Sequence, residues 1–201
     1  TALPLYSKYF PKAASVTLQG DRNRVIRAVL DKLAESHPNN STIVELAKQD
    51  LQTTTEFVRL NQLVTIPNEP VKVIVMPEFQ RGVAVAYCDP PGPLDKNAET
   101  FYSISPTPAT WSKERVQSFF REYNDSMLQN LTVHEAMPGH YLQIAHSNQF
   151  RAPTLIRSVF SSGSFVEGWA TYAEQLMAEK GYGGPELKVE QLKMRLRLII
   201  N

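Results

Sequence analysis

Cysteine is almost missing from this sequence. Cys88 stands alone, so no internal disulfide can form, and neither a disulfide-stapled scaffold nor a cysteine-rich zinc site is available. Long apolar runs are missing too: none approaches the roughly 18 residues that span a bilayer, and no signal-peptide pattern opens the chain. Neither sign of charge is in excess, since 21 Lys and Arg against 20 Asp and Glu leave a net +1. Without a basic block there is no electrostatic footprint for nucleic acid or for an anionic membrane. Internal repeats and low-complexity tracts are also lacking. What is there is 201 residues with 42% apolar and 20% charged side chains, an ordinary globular composition on a chain long enough to bury a core without staples. The chain opens on Thr1 and closes in an apolar helical pattern, Leu196 to Ile200, with no stop signal. The expectation is a fragment of a larger protein in which residues 1–201 form a single core.

Apolar pairs at Val25-Ile26, Val29-Leu30 and Leu33-Ala34 recur at helical spacing and end at His37-Pro38. Thr42 and Glu45 suggest a capping box for a second helix carrying Ile43, Leu46, Ala47, Leu51, Phe57 and Leu60, which Pro67 and Pro70 close. Three β-rich stretches follow, 71–76, 82–87 and, after the turn-rich 89–93, 101–104. Their short connections predict a small, mainly antiparallel sheet. Helical patterns return over 111–123, with Val116, Phe119 and Phe120 on one side, and then through Met127, Leu128, Leu131 and Val133 into His134-Glu135. Pro138-Gly139 interrupts the pattern, Tyr141-Leu142 resumes it, 165–179 forms another helix, and a last one starts near Pro185. Helical over 1–66, β-rich over 67–108 and helical again over 109–201, the chain reads as a mostly helical α+β fold.

The sharpest chemical signal is His134-Glu135-Ala136-Met137-Pro138-Gly139-His140. A hydrolytic zinc site needs three protein ligands and an open position, and a Glu beside the first His can reach a water as base without being a ligand. His134 and His140 are the candidate ligands and Glu135 the base. In the common H-E-x-x-H pattern the two His lie one turn apart, but here that position is Pro138. On an unbroken helix His134 and His140 would lie about 240° apart, so they share a metal only if the helix breaks at Pro138-Gly139. The third ligand should come from a second helix, where Glu167 and Glu174, seven residues apart, share a face. Glu167 is assigned to the metal, and Glu174 to orienting a His through its free N–H.

These segments, His134 to Gln143 and Phe165 to Glu174, resemble the DUF885 family of bacterial proteins, whose hallmarks look like H-E-A-x-P-G-H-x-x-Q and E-G-W-A-x-Y-A-E. The resemblance is specific over about residues 130 to 176. It implies a zincin-like, gluzincin-type metallopeptidase with Zn2+ held by His134, His140 and Glu167 and with Glu135 as base. It also implies a longer protein and a bacterial envelope location, periplasmic or secreted. By analogy with related zincins, 82–87 would be an edge strand beside which substrate lies, and Tyr141, His146 and Tyr172 are candidate transition-state donors or substrate contacts.

Each residue also has a plainer reading. A His-Glu pair on a helix is often no more than a solvated or capping pair; Pro-Gly-His behind it and the Glu167 helix downstream favour the metal. Glu174 divides between orienting a ligand and a surface ion pair. His146 favours packing or solvent, Trp169 and Tyr172 favour core, and Cys88 a thiol with no catalytic task. The expectation is a zinc-dependent hydrolase acting on a peptide or other amide substrate with a metal-bound water activated by Glu135. The alternatives are hydrolysis of a non-peptide amide or ester, and a binding module that keeps the metal without turnover.

Overall fold

The computed structural model describes residues 1–11, 21–95, 99–150 and 153–200. Helices α1 (Ala2–Tyr9), α2 (Arg22–Leu33) and α3 (Ile43–Leu60) precede strands β1 (Val71–Val75), β2 (Ala86–Asp89) and β3 (Thr100–Ile104). Helices α4 (Lys113–Glu122), α5 (Asp125–Glu135), α6 (His140–Gln149), α7 (Leu155–Val159), α8 (Gly163–Glu179) and α9 (Gly184–Ile200) follow. The protein is therefore mixed α+β, mostly helical with a small three-stranded sheet. Local chemistry starts several helices: Asp21, Ser112, Asn124 and Ser162 each accept an amide N–H at the N-cap of α2, α4, α5 and α8. The capping box expected at α3 does not form. Thr42 is the N-cap residue but makes no side-chain cap bond; its hydroxyl accepts from the Asn39 N–H at 2.9 Å instead, because Asn39 organises a tight turn just before the helix.

The sheet order is β1-β3-β2. β3 pairs parallel with β1, from Val71↔Thr100 to Val75↔Ile104, and antiparallel with β2. The mainly antiparallel expectation is corrected here: β1 and β2, consecutive in sequence, are not neighbours, so one of the two pairings is parallel. The second strand also begins later than the 82–87 pattern suggested. Gly82 adopts φ +86 with its backbone packed near Pro108 and Trp111, a conformation suited to a turn rather than a strand, and pairing with β3 starts at Ala86.

α5 is the central element. On one side Leu128 and Ala136 pack with Ile43 and Ala47 of α3 and with Tyr102 and Ile104 of β3. On the other, Val133 packs with Ala173 and Met177 of α8 and Leu187 of α9. The Tyr102 hydroxyl meets the Thr132 hydroxyl at 3.0 Å, which satisfies both buried polar groups. A separate cluster joins α1, α2 and α9 through Leu5, Val29 and Val189. A helix enclosed this way has a fixed end, and His134-Glu135 occupy that end.

Candidate metal centre

α5 stops at Glu135 and α6 starts at His140, with residues 136–139 turning between them. Gly139 permits the turn. A Cβ there would stand 1.9 Å from the His134 carbonyl oxygen and 2.4 Å from that of Val133, so no other residue type fits without moving the backbone. The Pro138 carbonyl accepts the Trp169 indole N–H at 2.9 Å, which ties the turn to α8. The result is the break that the His spacing demands. The two imidazoles meet with ring centroids 4.7 Å apart and planes at 89°.

Glu167, in the second turn of α8, completes the group. Its Oε2 lies 3.6 Å from His134 Nε2 and 3.7 Å from His140 Nε2, and one ligand atom from each residue falls within 4.8 Å of the others. Tetrahedral ligands at zinc bond lengths stand roughly 3.3–3.5 Å apart; the Glu167 oxygen is near that spacing from each imidazole, the set as a whole is spread to within 4.8 Å and would have to draw in, and two imidazoles with one carboxylate are the donor types that suit zinc. The His140 side chain is buried, whereas Glu167 is largely open, leaving one side for incoming groups.

Glu174 lies behind the group, 3% exposed. Its Oε1 is 2.6 Å from His134 Nδ1 and its Oε2 accepts the Asn130 amide at 2.8 Å. A carboxylate on Nδ1 holds the proton there and turns Nε2 toward Glu167. Glu135 stands outside the ligand set. Its Oε2 accepts the Cys88 N–H at 3.1 Å. Cys88 belongs to β2, an edge strand of the sheet, and the neighbouring Val85 carbonyl is taken by Ser105 of the chain beyond β3. The alternation of the ladder therefore leaves the Cys88 N–H on the free edge, facing the glutamate.

The electrostatics follow from burial and close charges. Burial pushes the Glu135 carboxyl up to about 7, helped by Glu167 and Glu174 and opposed by His134 and the Cys88 amide. For His134, burial opposes the imidazolium, but the Glu174 hydrogen bond and the surrounding carboxylates outweigh it and raise its pKa. Burial and the charge of His134 lower that of His140. A bound cation would favour both imidazoles in the neutral, ligating form.

The structure thus brings together His134, Glu135, His140, Glu167 and Glu174. It commits the other three candidates elsewhere. The Tyr141 hydroxyl donates to the Glu69 carbonyl, His146 Nε2 pairs with the Thr65 carbonyl at 2.8 Å, and the half-exposed Tyr172 packs its ring beside Trp169 at 5.9 Å. No hydrogen bond joins any of the three to the ligand group among the described residues. Asn130 was missed by sequence reasoning, although its place one turn before His134 is a legible signal.

Fold and site together define a mostly helical α+β protein with a two-histidine, one-carboxylate cluster at a broken helix. The chain belongs to the DUF885 family, described as bacterial protein of unknown function, whose model matches residues 11–201. It is similar to the structure of a candidate lipoprotein of unknown function from Shewanella oneidensis, with 36% identity over 98% of this chain and 35% of that one, and a TM-score of 0.81. A candidate lipoprotein from Colwellia psychrerythraea shares the fold, with 21% identity over 97% of this chain and 32% of that one, and a TM-score of 0.68. The chain spans about a third of the length of each. No curated protein matches it.

Proposed function

We propose that this chain carries the centre of a zincin-like, zinc-dependent hydrolase that cleaves amide bonds, those of peptides first. The observation that carries the reading is the convergence of His134, His140 and Glu167 across a broken helix, with Glu135 adjacent but outside the group. Zinc bound there would polarise the scissile carbonyl and make a water more acidic. The remaining work falls to side chains of this chain. Glu174 keeps the proton of His134 on Nδ1 and so directs Nε2. Glu135, with a carboxyl that titrates near neutrality, is matched to taking a proton from the attacking water and returning it to the leaving amine. The edge of β2 lies beside Glu135, and an extended peptide would add there as a strand by displacing the bond between Glu135 and the Cys88 N–H. An envelope location is supported by the lipoprotein descriptions of the two similar structures.

Metal analysis combined with a mixed peptide library tests this. About one zinc per chain should be found, and His140→Ala should lose it. Peptides should be cleaved by the native chain and not by Glu135→Gln, which should keep its zinc. A chain that takes up no zinc would sink the reading, and full zinc occupancy without any cleavage would replace it with that of a binding module.

A further inference from the structure

A groove runs along α6, the helix that begins at His140. Gln143 and Ser147 lie one and two turns beyond His140, and both line a cavity of about 650 Å³, within the range that binds small ligands. The loop that continues directly from β2, residues 90–93, also lines it, with Phe160 before α8 and Phe165 and Val166 in its first turn. The lining residues are thus close in the chain to the centre: Val166 precedes Glu167, residues 90–93 follow β2, and Gln143 stands one turn after His140. The Asn148 side-chain amide donates to the Pro91 carbonyl at 3.0 Å and holds the loop against α6.

The wall sets apolar side chains, Phe160, Phe165 and Val166 among them, beside the polar Gln143, Ser147, Asn148, Ser161 and Ser162. Phe160 and Phe165 are 77% and 56% exposed, so their rings face into the groove at a cost that burying an apolar partner would recover. Gln143 is 8% exposed. Its amide nitrogen donates to the Ser147 hydroxyl at 2.7 Å, and its Oε1 has no partner among the described residues. A buried amide oxygen without a donor is costly, and a ligand N–H reaching it would remove that cost.

We infer that this groove is the specificity subsite of the centre: it takes a large apolar or aromatic side chain of the substrate next to the scissile bond, and Gln143 positions that residue by accepting its backbone N–H. The inference deepens the proposed hydrolase and rests on it for the identity of the bond cut. It makes Gln143 a positioning residue, while Phe160 and Phe165 set side-chain preference.

Calorimetric titration of the chain, zinc-loaded and chelated, with N-acetyl-phenylalanine amide and N-acetyl-glycine amide reads the groove directly. The phenylalanine amide should bind roughly tenfold tighter or more, as expected for burying a ring. The double variant Phe160→Ser/Phe165→Ser, both exposed and so harmless to folding, should abolish the difference. Gln143→Leu should weaken both amides roughly tenfold, raising KM rather than lowering kcat on a peptide that is cleaved. Equal binding of the two amides, or a preference that survives the double variant, overturns the inference. Loss of zinc or of cleavage bears on the hydrolase reading alone, since the chelated titration reports the groove without either.

Discussion

A carboxylate as deeply buried as Glu174 is expensive unless every lone pair facing protein is used. Here His134 Nδ1 and the Asn130 amide fill both oxygens, so the residue is affordable only as part of the His134 assembly. Glu174→Gln keeps the volume but removes the charge and offers the imidazole a different partner. Zinc affinity should then fall roughly 10–100-fold, read by competition with a chromophoric chelator; unchanged affinity would show that His134 needs no anchor. Glu135 should behave in the opposite way. Since it lies outside the ligand group, Glu135→Gln should leave zinc affinity unchanged and lower kcat on a cleaved peptide by roughly 10²–10⁴-fold. The pair of variants separates holding the metal from moving the proton. Both residues were legible in the sequence, Glu135 by adjacency to His134 and Glu174 by sharing a face with Glu167. The Cys88 amide was not legible, because a role that depends on which backbone group faces a carboxylate leaves no mark in residue type, and Asn130 had only its place one turn before His134 to mark it.

At the scale of elements, the turn between α5 and α6 decides whether there is a site at all. Gly139→Ala would drive a methyl into the carbonyls of His134 and Val133, so the turn must open and carry His140 away. Zinc binding should be lost and the melting temperature should fall. Gly168, next to Glu167 in the middle of α8, is the matched control, since a Cβ there meets nothing within 4 Å. Gly168→Ala should leave zinc binding intact and stabilise the helix by about 0.5–1 kcal/mol. A Gly139→Ala chain that binds zinc normally would show that the turn tolerates a side chain and that the approach of backbone to backbone there is not required. The break itself was legible, because two His six residues apart can share an ion in no continuous helix. Strand pairing was not. The stretches 71–76 and 101–104 announce β structure by composition, but which strand pairs with which, and in what direction, depends on their packing against α3 and α5. The helix α1 falls in the stretch read as helical, 1–66, but its bounds were not legible, because its buried pair Leu5 and Tyr6 makes too short a stripe to mark them.

The stability of the whole molecule carries a pH dependence separable from the metal. Asp50, on α3, is 3% exposed, and its Oδ2 has no hydrogen-bond partner among the described residues. Burial raises its carboxyl to about 7, with the Gln129 hydrogen bond opposing and the charge of Asp125 adding to the rise. In the unfolded chain the group titrates near an ordinary 3.9. Between those values the folded protein holds a proton that the unfolded chain has released, so stability is full below about pH 4 and declines as pH rises toward about 7, by at most about 4 kcal/mol. Asp50→Asn removes the titration while keeping the shape. Its melting temperature should match the native chain at pH 4 and exceed it by several degrees at pH 8, given the roughly 2–4 °C per kcal/mol expected for a chain of this size. Measuring both chains in chelator at each pH cancels the contribution of the metal group, and Glu135, which also titrates near neutrality, is common to both and drops out of the difference. If the two curves run parallel from pH 4 to 8, Asp50 is already ionised in the fold and some donor satisfies it. If they diverge with increasing pH, the interface of α3 with α5 holds a neutral acid, and the fold tolerates at its centre a group that opposes it at neutral pH.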